Sequence, residues 1–273
     1  MIGIFDSGLG GLTVLKAVKE KLPLYNYIYL GDNARAPYGN KSQDVIFSYT
    51  KEALEFLFKQ GCELVIIACN TASAEALRKI QKEWLPKNYP GKKVLGVLVP
   101  AVEELVEYFQ SEKSLDKKVG IIATEATIES GKYGREIKKL DSEIEIFTKS
   151  TPLLVPLVEE GWIEKKETTE ILEKYLISLK EKGIEALILG CTHYPFLQEK
   201  IEKVLGFDIK IINTPIAVAD KLDLYFKKHS DLENKIRKDK QLYFCTTDDI
   251  EKFRNLGEKF LGEKINDLKK VSL

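Results

Sequence analysis

Two cysteines occupy matching surroundings far apart in the chain. In Ile67-Ala68-Cys69-Asn70-Thr71-Ala72-Ser73 and in Leu189-Gly190-Cys191-Thr192-His193-Tyr194-Pro195, a short apolar run ends in a thiol. A hydroxyl residue follows within two positions, and a helical pattern begins. A thiol at the tip of a buried strand, beside a helix N-terminus, is expected to have its pKa lowered. Thiols serve as nucleophiles, metal ligands or proton carriers. A nucleophilic pair would join one Cys to one His and leave the second thiol unexplained. A zinc site could draw on Cys69, Cys191, His193 and a carboxylate, but the close ligand spacings of structural sites are missing. Two thiols facing each other across a substrate suit proton exchange at a carbon stereocentre. One, as thiolate, takes a proton from one face, and the other, as thiol, returns one to the opposite face.

Asp6 and His193 are the natural partners of such a pair. His193 lies two residues after Cys191 and is one of only two histidines. Asp6 follows the first apolar run and precedes Gly8-Leu9-Gly10-Gly11, where it serves either a thiol or the N-cap of the next helix. The glycines do not complete a dinucleotide fingerprint, because Thr13 stands at the third glycine's place, and no P-loop lysine follows. A turn presenting backbone N–H groups to a carboxylate fits better. Ser7, Asn70, Thr71, Thr124, Thr127 and Thr192 add neutral donors at expected strand ends, as a small zwitterion with carboxylates requires. Tyr38-Gly39 lies in a turn-forming loop placed to close over a ligand. Arg35 reads as a solvated loop residue, and Cys62 and Cys245 as space-filling thiols.

The elements that must position these groups alternate. Apolar runs at residues 1–5, 25–30, 64–68, 94–99, 119–123, 144–148, 186–189, 209–212 and 242–244 read as strands, and amphipathic stretches between them as helices. Near-continuous apolar strands indicate an α/β fold with mostly parallel sheets covered by helices on both faces. In such sheets the binding crevice lies beyond the carboxyl ends of the strands, where the polar motifs fall. Asp6 precedes Cys69 by 63 positions and Thr124 precedes Cys191 by 67, so each half reads strand, polar loop, helix, then strand, cysteine, helix. Two similar lobes follow: residues 1–96 with about 210–273, and residues 97–209, with the active site in the cleft between them.

The totals agree with an enzyme of this kind. In 273 residues, 42 basic side chains balance 42 acidic ones, which speaks for neither nucleic acid nor a charged partner surface. No apolar run approaches 18 residues and no signal-peptide pattern begins at Met1, so the expectation is a cytoplasmic chain without membrane contact. Four scattered cysteines make no disulfide framework.

At these residues the chain resembles glutamate racemase, of the cofactor-independent amino-acid racemases. The motifs are Phe5-Asp6-Ser7-Gly8-x-Gly10-Gly11, Asp32-x-Ala34-Arg35-x-Pro37-Tyr38-Gly39, Ala68-Cys69-Asn70-Thr71-x-Ser73, Pro152-Leu153-x-x-Pro156-Leu157-x-Glu159 and Gly190-Cys191-Thr192-His193-Tyr194-Pro195. The resemblance implies that Cys69 exchanges the α-proton of D-glutamate and Cys191 that of L-glutamate. Asp6 would assist the first thiol, and His193 with Glu159 the second. Asp6, Ser7, Tyr38, Gly39, Asn70, Thr71, Thr192 and His193 would hold the substrate. It further implies a homodimer that uses neither pyridoxal phosphate nor metal and supplies D-glutamate for peptidoglycan. The chain departs from the family at Thr151, where many members carry cysteine, at Asn213-Thr214, where many read Asp-Ser, and in a Lys-rich stretch over residues 111–118. An aspartate racemase, a two-lobed carboxylate-binding protein and a zinc hydrolase are the competing readings.

Overall fold

The structure is a computed structural model that describes residues 1–112 and 116–273. Among these residues ten strands form two parallel sheets. The first contains β1 (Ile2–Asp6), β2 (Tyr27–Gly31), β3 (Leu64–Ile67), β4 (Lys93–Gly96), β9 (Leu242–Thr246) and β10 (Leu268–Lys270). Its order is β10-β9-β2-β1-β3-β4. The second contains β5 (Lys118–Ala123), β6 (Glu145–Ser150), β7 (Ala186–Gly190) and β8 (Lys210–Ile212), in the order β6-β5-β7-β8. The run β2-β1-β3-β4 thus repeats as β6-β5-β7-β8, the internal likeness expected from the matching motifs. β9 and β10 then extend the first sheet beyond β2.

In each half the chain leaves the first strand in one direction and later returns on its other side. The crevice between the first and third strands is the topological switch point, where backbone ends diverge and leave room for a ligand. Asp6 ends β1 and Cys69 follows β3; Thr124 follows β5 and Cys191 follows β7. The polar groups singled out by sequence therefore open onto these two crevices.

The strands form because their runs are apolar on both faces: every residue of β1, β2, β3 and β7 is buried. Each fully buried Ile or Leu contributes about 1.5–3 kcal/mol of transfer free energy. One core lies on the inner side and continues from Ile4, Leu12 and Ile66 to Ile121, Ile188 and Leu222. Both sheets thus share it. A second core, with Phe5, Leu54, Leu57, Val65 and Ile67, fills the outer face of the first sheet under helix Gln43–Lys59. Cys62 and Cys245 are packed in that outer core, as space-filling thiols should be.

Several boundaries move from their sequence positions. The strand expected over 94–99 stops at Gly96, and helix Leu98–Glu112 takes Val99 and Pro100 into its first turn. The helix after the first thiol begins at Asn70, directly after Cys69, so the thiol itself is the N-cap residue. β8 pairs with β7, so the second sheet runs through Ile212, past the expected boundary at about 210. The edge strand β10 had no sequence signal: Leu268-Lys269-Lys270 is short and mostly exposed, and pairs only with β9. Of the Lys-rich stretch, Ser111 and Glu112 end a helix, and residues 113–115 lie outside the described residues. The substituted positions keep structural work. The Thr151 hydroxyl meets the Tyr194 hydroxyl at 2.5 Å, and Asn213 Oδ1 accepts from the Ile216 N–H. The Thr214 hydroxyl donates to the Leu189 carbonyl at the end of β7.

Candidate active site

The two lobes meet at the strand ends, and glycine permits the closest approach. A Cβ on Gly10 would lie 2.3 Å from Thr192 Oγ1 and 2.5 Å from His193 Nδ1. Only a residue without a side chain lets the β1 turn press against the Cys191 loop. The Thr13 hydroxyl donates to the Thr192 carbonyl at 3.1 Å across the same seam. At its other end, Gly39 backs onto Thr124, while Thr71 meets Thr124 at 3.0 Å and Thr127 at 3.2 Å. Hydroxyls from both lobes therefore form one cluster.

Cys69 is 5% exposed and Cys191 8%, with Asp6 and His193 equally enclosed. The Ala72 N–H, at the start of helix Asn70–Glu75, points at Cys69 Sγ from 3.5 Å, and the Cys69 thiol donates to Ser7 Oγ at 3.4 Å. Burial, reinforced by the negative charge of Asp6, pushes the Cys69 thiol up to about 12, against its hydrogen bonds with Ser7 and Ala72. The sequence-based expectation of a lowered pKa is therefore reversed at Cys69: two weak contacts do not offset removal from water. Cys69 holds its proton at neutral pH. Asp6 is pushed upward by burial too, opposed by the charge of His193 and by the Gly11 and Gly8 amides.

Asp6 does not cap the following helix. Its Oδ2 accepts the Gly8 N–H at 3.0 Å, and the first helical amides, Leu12 and Thr13, are satisfied by the carbonyls of Leu9 and Gly10. The glycine turn offers its N–H groups to a carboxylate, as expected, but that carboxylate is the chain's own Asp6. On the opposite wall, His193 Nδ1 lies 3.8 Å from Cys191 Sγ, and its Nε2 lies 3.1 Å from Glu159 Oε1. Burial works against charge on the ring. The bonds to Cys191 and Glu159 outweigh it and push His193 up to about 10. Phe260, from helix Ile250–Leu261, meets the ring edge-on and completes its enclosure. Glu159 closes helix Leu154–Glu159 at the rim, 42% exposed.

Among the described residues, three buried side-chain N or O atoms lack a hydrogen-bond partner, and two of them are Asp6 Oδ1 and Asn70 Nδ2. Buried polar atoms left unpaired are costly. Both belong to residues that flank Cys69, where a ligand entering between the lobes would find them unpaired. Tyr38 is buried, and its hydroxyl donates to Asp32 Oδ2 at 2.5 Å. Arg35 is not a solvated residue; its Nη2 is the third of the buried atoms without a partner. Its Nε bonds Asp32, its Nη1 bonds Glu52, and its guanidinium lies over the Tyr49 ring.

Sequence reasoning named Asp32 in a motif but gave it no role. It is fully buried and collects Arg35, Tyr38 and the Thr247 hydroxyl, tying the Tyr38-Gly39 loop to the C-terminal return. Its position just beyond β2, matching that of Asp6 at the end of β1, was the available signal. Among the described residues no cluster of three or more His, Cys, Asp and Glu is placed to hold a metal ion, and no helix is long and apolar enough to cross a membrane. A cavity of about 740 Å³ lies elsewhere, lined by Leu77, Gly96, Glu103, Lys132 and Lys221 and by neither site cysteine.

The geometry described is that of two thiols on related lobes, each with an ionisable neighbour. Comparison with known proteins places it. The model of the Asp/Glu/hydantoin racemase family matches residues 12–222. The glutamate racemase of Aquifex aeolicus is 41% identical over 97% of this chain and 95% of its own. The crystal structure of the Francisella tularensis glutamate racemase, in complex with D-glutamate, superposes with a TM-score of 0.87 at 35% identity, covering 99% of this chain and 97% of that one. A glutamate racemase isoform of Bacillus anthracis gives 0.90 at 31% identity, over 100% and 97%. The chain belongs to the Asp/Glu/hydantoin racemase family, and within it to the glutamate racemases.

Proposed function

We propose that this chain interconverts L- and D-glutamate by two-base proton transfer at Cα, with Cys191 serving the L face and Cys69 the D face. The observation that carries the reading is the pair of buried thiols at equivalent strand ends of two related lobes, each beside a different ionisable partner. In the L-to-D direction Cys191 takes the α-proton and Cys69, which holds its proton, returns one to the opposite face. Asp6 assists Cys69; His193, steadied by Glu159, assists Cys191. The developing carbanion pushes charge onto the substrate carboxylate, which fixed donors stabilise. Ser7, Asn70, Thr71 and Thr192 supply them, with Tyr38-Gly39 as the covering loop. Asp6 and His193 also line the substrate.

The lobes that carry these groups divide near residues 96 and 212, with the C-terminal return on the first. The reaction requires neither pyridoxal phosphate nor metal. Its place is the cytoplasm, its product D-glutamate for peptidoglycan, and its assembly a homodimer. Incubating metal-stripped protein with L-glutamate in D₂O tests the chemistry. The expected result is loss of optical rotation with deuterium appearing at Cα. Absence of both would sink the proposal, and exchange returning only with zinc would overturn the metal-free mechanism. A higher kcat/KM for L-aspartate than for L-glutamate would reassign the substrate.

A further inference from the structure

Tyr133 lies outside every motif discussed above, yet it touches both walls of the cleft. It stands in the first turn of helix Lys132–Leu140 of the second lobe and is 3% exposed. Its hydroxyl donates across the seam to Asn70 Oδ1 at 2.7 Å. Its ring packs on β7 one residue before Cys191, where a Cβ on Gly190 would lie 3.3 Å from Tyr133 Cε2. Packing thus fixes the ring, and the ring fixes the oxygen.

The consequence falls on Asn70. A carboxamide has an acceptor end and a donor end of nearly the same shape, and a half-turn about the last bond exchanges them. With Oδ1 bound by the phenol, Nδ2 is the end left without a protein partner beside Cys69. In the exchanged orientation the amide would donate to the phenol oxygen and turn a carbonyl towards the ligand. A carboxylate is held by the first orientation and repelled by the second.

We infer that Tyr133 is a positioning residue: by occupying Asn70 Oδ1 from the opposite lobe, it presents the Asn70 amide N–H to the substrate carboxylate only when the two lobes are together. The inference rests on the proposed role of Asn70 as a substrate ligand. It also makes carboxylate binding depend on lobe approach, because the donor belongs to one lobe and the group that orients it to the other.

The test is steady-state racemisation of both glutamate enantiomers by the full chain carrying Y133F, N70A, both together, or N70D. The expected result for Y133F is a KM raised about tenfold for both enantiomers, with kcat changed less than about threefold, the size of effect one hydrogen bond to a charged group supports. Because Tyr133 acts through Asn70, the double variant should be no worse than N70A. Losses that multiply in the double variant, or a wild-type KM in Y133F beside a raised KM in N70A, would overturn this inference alone. A wild-type KM in N70A would overturn the substrate role of Asn70 and this inference with it. Thermal melting checks that each variant folds. Should Y133F fail to fold, the wild-type chain crystallised with D-glutamate decides: Asn70 Nδ2 should lie within hydrogen-bond distance of a substrate carboxylate oxygen while the Tyr133 hydroxyl stays on Oδ1, and a Tyr133 hydroxyl bonded elsewhere would overturn the inference. N70D, which removes the amide donor and adds a negative charge, should raise KM beyond N70A, and wild-type binding by N70D would overturn the assignment.

Discussion

On one wall of the cleft Cys69 follows β3, caps a helix and sits beside a buried carboxylate, Asp6. On the other Cys191 follows β7, leads into a 3-10 turn and sits beside a buried imidazole that stays charged, His193. The strand order around the two thiols is the same, but the neighbouring charges are opposite in sign. A symmetric substrate site would give both thiols the same environment and leave neither committed to a proton. Burial beside a negative Asp6 keeps the proton on Cys69, whereas the charge beside Cys191 is the positive one of His193. A duplicated scaffold has been given two unlike ends.

The largest expected effect comes from removing either sulfur. Cys69→Ser and Cys191→Ser should each lower racemisation by at least about 10³-fold, within the range of general acid–base catalysis, while leaving thermal melting near wild type. The remaining thiol should still exchange one enantiomer's α-proton with solvent. Deuterium should enter L-glutamate slowly in Cys69→Ser and D-glutamate in Cys191→Ser. Wild-type turnover in either variant would return that cysteine to a packing role. The reverse pattern of wash-in would exchange the two faces.

The next effect concerns the turn that touches both walls. A methyl on Gly10 must displace Thr192 and His193, whereas one on Gly11 would lie 2.5 Å from Asp6 Cβ. Gly10→Ala should therefore disturb the Cys191 wall and Gly11→Ala the Cys69 wall. Each should lose about 100-fold in kcat/KM from misplacement and about 1–3 kcal/mol of stability from overpacking. Crystal structures of the two variants should show displacement of His193 in the first and of Asp6 in the second. Displacement of the same wall in both would end the idea that the turn positions them separately.

Smaller losses, roughly 10- to 100-fold in kcat, are expected for Asp6→Asn and His193→Asn, which remove a charged partner but keep the shape. Their pH profiles should differ. His193→Asn removes a group that holds its proton to about pH 10, so its effect should fade above that pH. Asp6→Asn removes a negative charge that raises the Cys69 pKa, so the thiol should titrate at lower pH in that variant. Indistinguishable profiles would mean that the two walls are not electrostatically distinct.

How far the sequence could be read follows from the same asymmetry. The β1, β3 and β7 strands and both thiols were legible because an apolar run ending in a polar residue has one sensible place in a parallel sheet. The pairing of Asp6 with Cys69's surroundings and of His193 with Cys191 was legible from spacing and resemblance together. The direction of the Cys69 shift was not, since a helix N-terminus is visible in a sequence and depth of burial is not. Nor was Tyr133, whose partner Asn70 is 63 residues away and belongs to the other lobe. In a helix pattern it looks like any core tyrosine. β10 escaped for the opposite reason: an edge strand of three residues needs no apolar alternation.

The smallest effect tests how His193 keeps its charge. Glu159 is 42% exposed, so its ion pair with His193 is partly screened, and Glu159→Gln should cost about 2- to 5-fold in activity. Its effect on titration should be clearer. Below the ordinary imidazole value of 6.5 the ring is protonated whether the chain is folded or not, and the stabilisation from its contacts is complete. As pH rises from there only the folded chain holds the proton, so that stabilisation declines and is lost as the pH passes about 10. Glu159→Gln should bring the upper end of this window down, and His193→Asn should abolish it. Melting temperatures between pH 6 and 10, with the His193 ring followed by NMR, would show both. A titration unmoved by Glu159→Gln would leave Cys191 as the group that keeps the proton on the ring. The contrast between the walls would then reside in the thiol–imidazole pair alone, with the rim carboxylate outside it.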